Sequence, residues 1–319
     1  MTRKKITKTT QTRKFSSKIS PAKQRKLAQL SDNQQYGRGS LYFLIIALIL
    51  SLGVWGYNYV EEWVNPPTYE GLYLHFIDVG QGDATLIQTP TATMLIDGGD
   101  THMGTRVVSY LKRWGVSHID YVIATHPHAD HIGGLVPVLQ QFSVGTVMMP
   151  NRAHTTQIFE RFITALEQSD ARVIEPVVGE VFSLGDAVFT VLAPNRGGYA
   201  SLNDYSIVLH MVYGGLSALF TADAEVVSEQ EMLANPYRLS ADILQVGHHG
   251  SHTSTSPEFL VAVNPSVAVI SAGAGNRYGH PHASVLDRLE AHGALIYRTD
   301  LDGHVVFRSD GRTLEHVSN

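Results

Sequence analysis

No cysteine occurs anywhere in the 319 residues. Disulfides, thiolate metal sites and cysteine nucleophiles are thereby excluded, and the absence suits an oxidising space outside a cell. Lysine is nearly missing too: beyond residue 40 only Lys112 remains. Acidic residues are scarce at the other end, where residues 1–40 carry eleven Lys/Arg against the single acid Asp32. Residues 41–319 therefore keep 13 of the 24 basic and 28 of the 29 acidic residues, a net charge of −15. Nonspecific duplex binding needs clustered Lys/Arg on the phosphates. This composition argues against it, and permits single strands, nucleotides or surface phosphodiesters. No repeat of solenoid period is present.

Long apolar runs are absent as well, with one exception. Leu41–Val60, LYFLIIALILSLGVWGYNYV, is twenty uncharged residues, enough as a helix to cross the roughly 30 Å hydrocarbon core of a bilayer. Trp55, Tyr57, Tyr59 and Trp63 crowd its C-terminal end like an interfacial belt. The forty-residue basic region before it is too long for a cleaved signal peptide, and VWGYNYVEEW offers no small-x-small cleavage site. The expected organisation is a disordered cytoplasmic arm (1–40), a single-pass signal anchor (41–60), a linker with two prolines (61–70), and an extracellular domain (71–319). The positive-inside rule sets that orientation.

Beyond residue 70, short apolar runs alternate with turn signals. LYLHFIDVG, ATLIQT, ATMLIDGGD, IDYVIAT, ADILQV, SVAVISAG and ALIYRT read as strands. EVFSLGDAVFTVLAP and SIVLHMVYGGLSALFTAD read as hairpins, the second turning at Gly214-Gly215. Helical spacing marks THMGTRVVSYLKRWG, IGGLVPVLQQF and TTQIFERFITALEQS, with further helices at about 256–263 and 284–292. Strands interleaved with helices predict an α/β (α+β) domain of face-to-face sheets with helices outside.

The chemistry concentrates in THPHADHIGG. His126 and His128 stand two apart, so on an extended segment they point the same way. Asp130 and His131 follow where the chain turns toward a helix. Imidazole and carboxylate are ligands for zinc and also suit manganese or iron. Four ligands within six residues crowd one ion, so two adjacent ions are the easier solution. The GQGD turn at Gly80–Asp83 lacks the lysine and spacing of a nucleotide P-loop. Its acid Asp83, or Asp78 before it, is instead a candidate to brace a ligating histidine.

H-x-H-x-D-H after a buried strand resembles the signature of the metallo-β-lactamase fold. FIDVGQGDATLI, LIDGG, NDYSIVL, HHGSHTSTS and NRYGHPH, in this order over about residues 72–308, are similar to the C-terminal domain of the bacterial competence protein ComEC and to phosphorylcholine esterases of bacterial surfaces. HHGS and YGHP look unlike the lactamase branch.

The resemblance implies a four-layer αββα sandwich, two divalent ions (zinc foremost, manganese an alternative) and phosphodiester hydrolysis, including degradation of DNA at the cell surface. Phosphorylcholine-type esterase activity and a non-catalytic accessory role in a DNA-uptake or envelope complex are the competing readings. Carried over residue by residue, it implies Asp97 at the end of an early strand, Asp223 as a bridging ligand, and His248 or His249 as the last ligand. The expected metal set is His126, His128, Asp130, His131, Asp223 and His248. Asp130, Asn203, His249 and His280 are the expected reacting groups, with His280 donating a hydrogen bond or proton to the phosphoryl group. A family histidine is missing near SLNDYSIVL, where Asn203 or Asp204 stands, with His154 and His210 as alternatives. Arg152, Arg196 and Arg277 are a candidate basic patch. His252, His282, His292, His304 and His316 are expected on the surface.

Overall fold

Strand alternation decides what each sheet covers. In β1 (Leu72–Phe76), Leu72, Leu74 and Phe76 point one way and His75 the other, all but Tyr73 buried. The computed structural model describes residues 70–317, with 20–22, 25 and 48. The basic arm, the apolar run 41–60 and most of the linker thus lie outside the described residues, apart from those few positions. Among the described residues, no helix is long and apolar enough to cross a membrane. The chain separates into two units, Met1–Asn65 and Pro66–Asn319, and the second carries the fold.

Its strands continue with β2 (Thr85–Gln88), β3 (Thr93–Ile96), β4 (His118–Ile123), β5 (Ser143–Met148), β6 (Arg172–Ile174), β7 (Val181–Leu184), β8 (Ala187–Ala193), β9 (Val208–Tyr213), β10 (Leu216–Phe220), β11 (Ile243–Gln245), β12 (Val267–Ile270), β13 (Leu295–Arg298), β14 (Val305–Ser309) and β15 (Leu314–Val317). The helices are α1 (Gly104–Arg113), α2 (Ala129–Ile132), α3 (Leu135–Gln141), α4 (Gln157–Glu167), α5 (Val226–Ala234), α6 (Pro257–Val263), α7 (Ala283–His292) and α8 (Thr299–Asp302). One sheet has the order β15-β14-β1-β2-β3-β4-β5-β6 and the other β13-β12-β11-β10-β9-β8-β7. β3 to β6 run parallel, as do β10 to β13, and the remaining pairs are antiparallel.

Three apolar layers follow from the alternation. Leu74, Phe76, Ile87, Met94 and Ile96 of the first sheet meet Phe189, Leu209, Met211, Phe220 and Val269 of the second. The outer face of the first sheet, with Leu86, Leu95 and Val122, is covered by Val107 and Leu111 of α1, Val138 of α3 and Phe162 of α4. Leu244, Ala268 and Ile270 of the second are covered by Phe259 and Leu260 of α6 and Val285 and Leu289 of α7. The result is the expected two-sheet sandwich with helices on both outer faces. Phe76 links the sheets, its ring 6.4 Å from Phe220 and 6.3 Å from Phe307. Truncating such a ring to alanine costs about 3–5 kcal/mol.

Local signals place the helices that frame the site. Ser256 accepts from Phe259 N at the start of α6, where Pro257 takes the first helical position, and α7 stops at Gly293, whose φ of 86° suits glycine. The loops after β3, β4, β10, β11 and β12 leave the C-terminal ends of parallel strands, where open α/β sheets gather ligands.

Candidate metal centre

β4 delivers the histidine loop. As the strand ends, Thr125 donates from its backbone N and its hydroxyl to Asp97, at 2.9 and 2.6 Å, which pins the chain where it leaves the sheet. His126 follows, then His128, with His126 Nε2 and His128 Nδ1 2.9 Å apart. The backbone then turns into α2, which carries Asp130 and His131. Gly134 lets this segment lie against the loop after β3, because a Cβ there would collide with the Gly98 carbonyl. Gly82 does the same for the GQGD turn against the Asp130 backbone, and Asp83 N bonds Asp130 O at 3.2 Å.

The second sheet supplies Asp223, which lies between two groups of donors. Its Oδ2 is 3.6 Å from His126 Nε2 and 3.3 Å from His131 Nε2, while its Oδ1 is 3.4 Å from His249 Nε2. His126, His128 and Asp223 form one trio whose candidate ligand atoms lie within 4.8 Å of one another, and Asp130, His131 and His249 form another. Asp83 joins Asp223 and His249 in a third grouping, and Asp97 and His131 in a fourth. Asp97 Oδ2 accepts from His131 Nδ1 at 2.8 Å, which directs Nε2 into the centre.

The geometry selects His249, not the expected His248, as the inward donor. Both sit in a left-handed turn after β11, with φ of 50° and 56°. The His249 side chain is 2% exposed, its Nδ1 is held 3.0 Å from Ser271 O, and Nε2 faces Asp130 Oδ2 at 3.5 Å. His248 is 22% exposed, its Nε2 is 3.7 Å from Asp223, and its Nδ1 is engaged by Glu225 at 3.4 Å and Thr253 at 3.1 Å. The Ser271 carbonyl holds the His249 ring with Nε2 inward, whereas Glu225 and Thr253 draw His248 toward the rim.

Asn203 and Asp204 are separated in the same way. Asp204 Oδ1 accepts from Glu225 N and Ser228 N at the start of α5. Asn203 faces the site, its Nδ2 3.4 Å from His248 Nδ1 and its Oδ1 buried without a hydrogen bond. The His154 ring stands 6.2 Å from that of His128, at the rim. His210 is turned away on β9 and bonds Ser240 O at 3.0 Å.

Electrostatics support a cation site. His131 Nε2, His249 Nε2 and Asp223 Oδ1 are buried without hydrogen bonds. Burial opposes charge on His131, but Asp223 and Asp97 outweigh it and hold its pKa well above the ordinary value. Burial likewise opposes charge on His249, yet Asp223 and the nearby Asp130 carboxylate push it up to about 9. Burial would raise Asp223, but the charges of His131 and His249 hold it well below the usual carboxylate range. His126 and His128 are lowered by burial and then by His131, so they stand ready as neutral ligands. A buried group of carboxylates thus draws positive charge, and the oxygen and imidazole donors, without sulfur, suit a divalent ion.

The family model described as Metallo-beta-lactamase superfamily matches residues 77–274. The chain belongs to the metallo-β-lactamase superfamily. It is 35% identical to ComE operon protein 3 of Bacillus subtilis over 254 residues, covering 74% of this chain and 33% of that protein. It is 32% identical to Recombination protein 2 of Haemophilus influenzae over 247 residues (76% and 29%), and 34% identical to competence protein ComA of Neisseria gonorrhoeae over 233 residues (72% and 31%). The chain therefore spans about a third of the length of these relatives, and its likeness to competence proteins is as the motifs imply. The metallo-β-lactamase fold protein YhfI of Bacillus subtilis superposes with a TM-score of 0.53 at 13% identity, over 75% of this chain and all of that one. The diiron β-hydroxylase CmlA of Streptomyces venezuelae gives 0.51 at 17%, over 76% and 55%. These two show the fold alone.

Around this metallo-β-lactamase centre, the loop after β12 forms an outer wall. Gly250 φ is +80°, and a Cβ there would press on Pro281, so the two loops are in close contact. The His280 ring lies 5.5 Å from His248 and 6.2 Å from His249. Asp78 is elsewhere, paired with Arg106 at 2.7 Å; of the two acids in the first turn, Asp83 alone reaches the centre, 3.7 Å from His249 Nδ1. Ser251 and Thr253 bond each other at 3.0 Å and hold the His248 loop. Arg196 is taken by Glu231 at 2.7 Å, which reduces the candidate basic patch to Arg152 and Arg277. Contrary to expectation, His304 is packed rather than superficial: it accepts from Asp78 N at 3.0 Å, and its ring is 4.6 Å from Tyr110. Sequence reading also passed over Glu225, which binds His248 and whose pKa that contact lowers to about 2. An acid two residues past Asp223 was the available signal.

Proposed function

We propose that this chain is a membrane-anchored hydrolase that cuts phosphodiester bonds outside the cell with two divalent ions, acting on DNA or nucleotides. The observation that carries the reading is the position of Asp223 between two donor trios. His126, His128 and Asp223 would hold one ion, and Asp130, His131 and His249 the other, with Asp223 shared. Bound there, a pair of ions would lower the pKa of a water and neutralise phosphoryl charge. Zinc is the foremost candidate and manganese the alternative.

The chain's own side chains supply the rest. Asp130 is anchored by His249 yet 29% exposed, so its carboxylate is able both to bind and to orient a water. His280 and the Asn203 amide flank the centre as hydrogen-bond donors for a phosphoryl oxygen. Asp97 and Ser271 fix the two imidazoles whose Nε2 atoms face inward. A purely accessory role does not require this intact donor set.

The anchor rests on the sequence: a basic arm followed by twenty uncharged residues. Protease added to intact cells should remove the hydrolase domain and spare residues 1–40; a protected domain refutes the topology. The activity is tested by metal analysis of the full chain, then by assay on single-stranded DNA, cyclic dinucleotides and a phosphorylcholine ester. Turnover of the choline ester alone would transfer the activity to surface polymers. Turnover of none, by protein carrying its ions, would leave the accessory role.

A further inference from the structure

Tyr278 is a large aromatic residue left 49% exposed beside the metal centre. Its ring stacks on His280 at 5.6 Å and 23°, and His280 in turn borders His248 and His249. A column of rings thus leads from the surface to the donors. The loop that presents it is braced: Asn276 Oδ1 accepts from Tyr278 N at 3.1 Å and His280 N at 3.0 Å, while its Nδ2 donates to Gly273 O at 2.9 Å. Arg277 donates to the Tyr278 hydroxyl at 2.8 Å, and its guanidinium lies over the ring, 4.9 Å from the centroid. Among the described residues Arg277 has no ion-pair partner, unlike Arg196, which stacks on Tyr199 but is paired with Glu231.

We propose that Tyr278 and Arg277 form a nucleotide-binding ledge at the mouth of the site, with an unpaired base on the tyrosine ring and an adjacent phosphate on the guanidinium. The proposal rests on the phosphodiester reading and narrows its substrate. A guanidinium without an ion-pair partner over a half-exposed aromatic ring suits an anion joined to a flat π-system, the base taking the ring as the exposed arginine turns to the phosphate. It disfavours a choline headgroup, whose quaternary ammonium seeks an aromatic surface without a neighbouring cation. Residues 41–319 are net −15, so phosphate contacts alone give little affinity and stacking has to contribute. Stacking requires a base that is not paired, which selects single strands, ends or nucleotides over duplex.

The test is binding of the full chain, carrying its metals, to a fluorescein-labelled phosphorothioate thymidine oligonucleotide, which resists hydrolysis, and to an abasic oligonucleotide of the same length. Fluorescence anisotropy reads both. Tyr278→Ala should weaken thymidine binding about 5- to 150-fold, the range for one stacked base, and leave the abasic probe unchanged. Tyr278→Phe should stay within about twofold on both. Arg277→Ala should weaken both probes and lower the salt slope by about one. The ledge is refuted if the wild type ignores the thymidine probe, if Tyr278→Ala binds it normally, or if that variant loses the abasic probe equally. Failure of the hydrolase reading is seen separately, as absence of turnover on bis(4-nitrophenyl) phosphate with base-dependent binding intact.

Discussion

Asp97→Asn tests the support that a buried carboxylate gives to the His131 imidazole. Asp97 is fully buried and has φ of 56°, a left-handed conformation that asparagine tolerates well. The substitution therefore preserves shape and backbone. Its carboxylate accepts three bonds, from Thr125 N, Thr125 Oγ1 and His131 Nδ1. An asparagine has one acceptor oxygen, which Thr125 N would take. The new NH2 then faces the threonine hydroxyl, which can rotate to accept, and His131 Nδ1, which cannot accept while it carries a proton. Either two donors oppose each other in a buried place, or the proton moves to Nε2.

The second outcome spoils the atom that lies 3.3 Å from Asp223 and serves the Asp130–His131–His249 trio. Restoring the ligating tautomer re-creates the donor clash, at about 1–3 kcal/mol. That corresponds to roughly 5- to 150-fold in affinity, and loss of such supporting partners typically costs about 10- to 100-fold. Titration of the full chain against a chromogenic chelator should therefore show one ion weakened about 10- to 100-fold. The ion of the His126–His128–Asp223 trio should move much less. Turnover at saturating metal should largely recover. If both ions bind within twofold of wild type, Asp97 does not orient His131 for metal, and the assignment of that trio fails.

His249→Ala should lose the second ion outright, whereas His248→Ala should keep both; metal stoichiometry by mass spectrometry checks this, and the reverse result reinstates His248. Because His131 and His249 are held above their ordinary values in the metal-free protein, loading at pH 7 should release about two protons per chain, measurable in weakly buffered dye, and apparent affinity should fall with falling pH. The linkage for the metal-free fold runs the other way. The His249 pKa is raised from 6.5 to about 9, so its contribution to stability is complete below pH 6.5 and disappears as pH rises through 9. Thermal denaturation in chelator should show a lower Tm at pH 9.5 than at pH 6.5, and a Tm that rises over this window would contradict the charge assignment.

What the sequence made legible was whatever its local pattern determines. LYLHF alternates, and TLIQ and TMLI are short apolar runs between turn signals, so β1 to β3 are readable, and a cluster of imidazoles after a buried strand has few structural uses. Where the pattern is broken by tertiary demands, elements went unseen. In α5, Glu229 is buried and bonds Ser256 N at 2.9 Å and Thr255 N, while Val227 is exposed, which inverts the amphipathic stripe. β6 and β15 are three and four residues long without a fully buried position, so neither carries a periodic signal. The choice between His248 and His249 depends on a carbonyl 22 residues away, and that between Asn203 and Asp204 on the backbone of α5. No spacing rule contains either contact.

For His280 the electrostatics favour a different role from the proton donor that the motif implies. Its ring borders those of His248 and His249, at 5.5 and 6.2 Å. Burial, and then the charges of His249 and His248, push its pKa down to about 4. At pH 7 only about one molecule in a thousand would carry the imidazolium, and bound cations would lower that fraction further. A proton donor is thereby disfavoured, and a neutral ring offering one N–H to a phosphoryl oxygen is favoured. The two roles predict different losses. A proton donor removed by His280→Ala would cost about 10²–10⁴-fold, more for poor leaving groups, and would erase a basic limb from the pH profile. A neutral donor to a charged oxygen contributes about 1.5–3 kcal/mol, so the loss should be about 10- to 150-fold. It should be uniform across leaving groups and flat from pH 6 to 9. His280→Gln, which keeps an N–H, should recover much of it. A loss that steepens with leaving-group pKa, with no recovery in the glutamine variant, would return the proton to His280 and show that its burial is relieved when substrate binds.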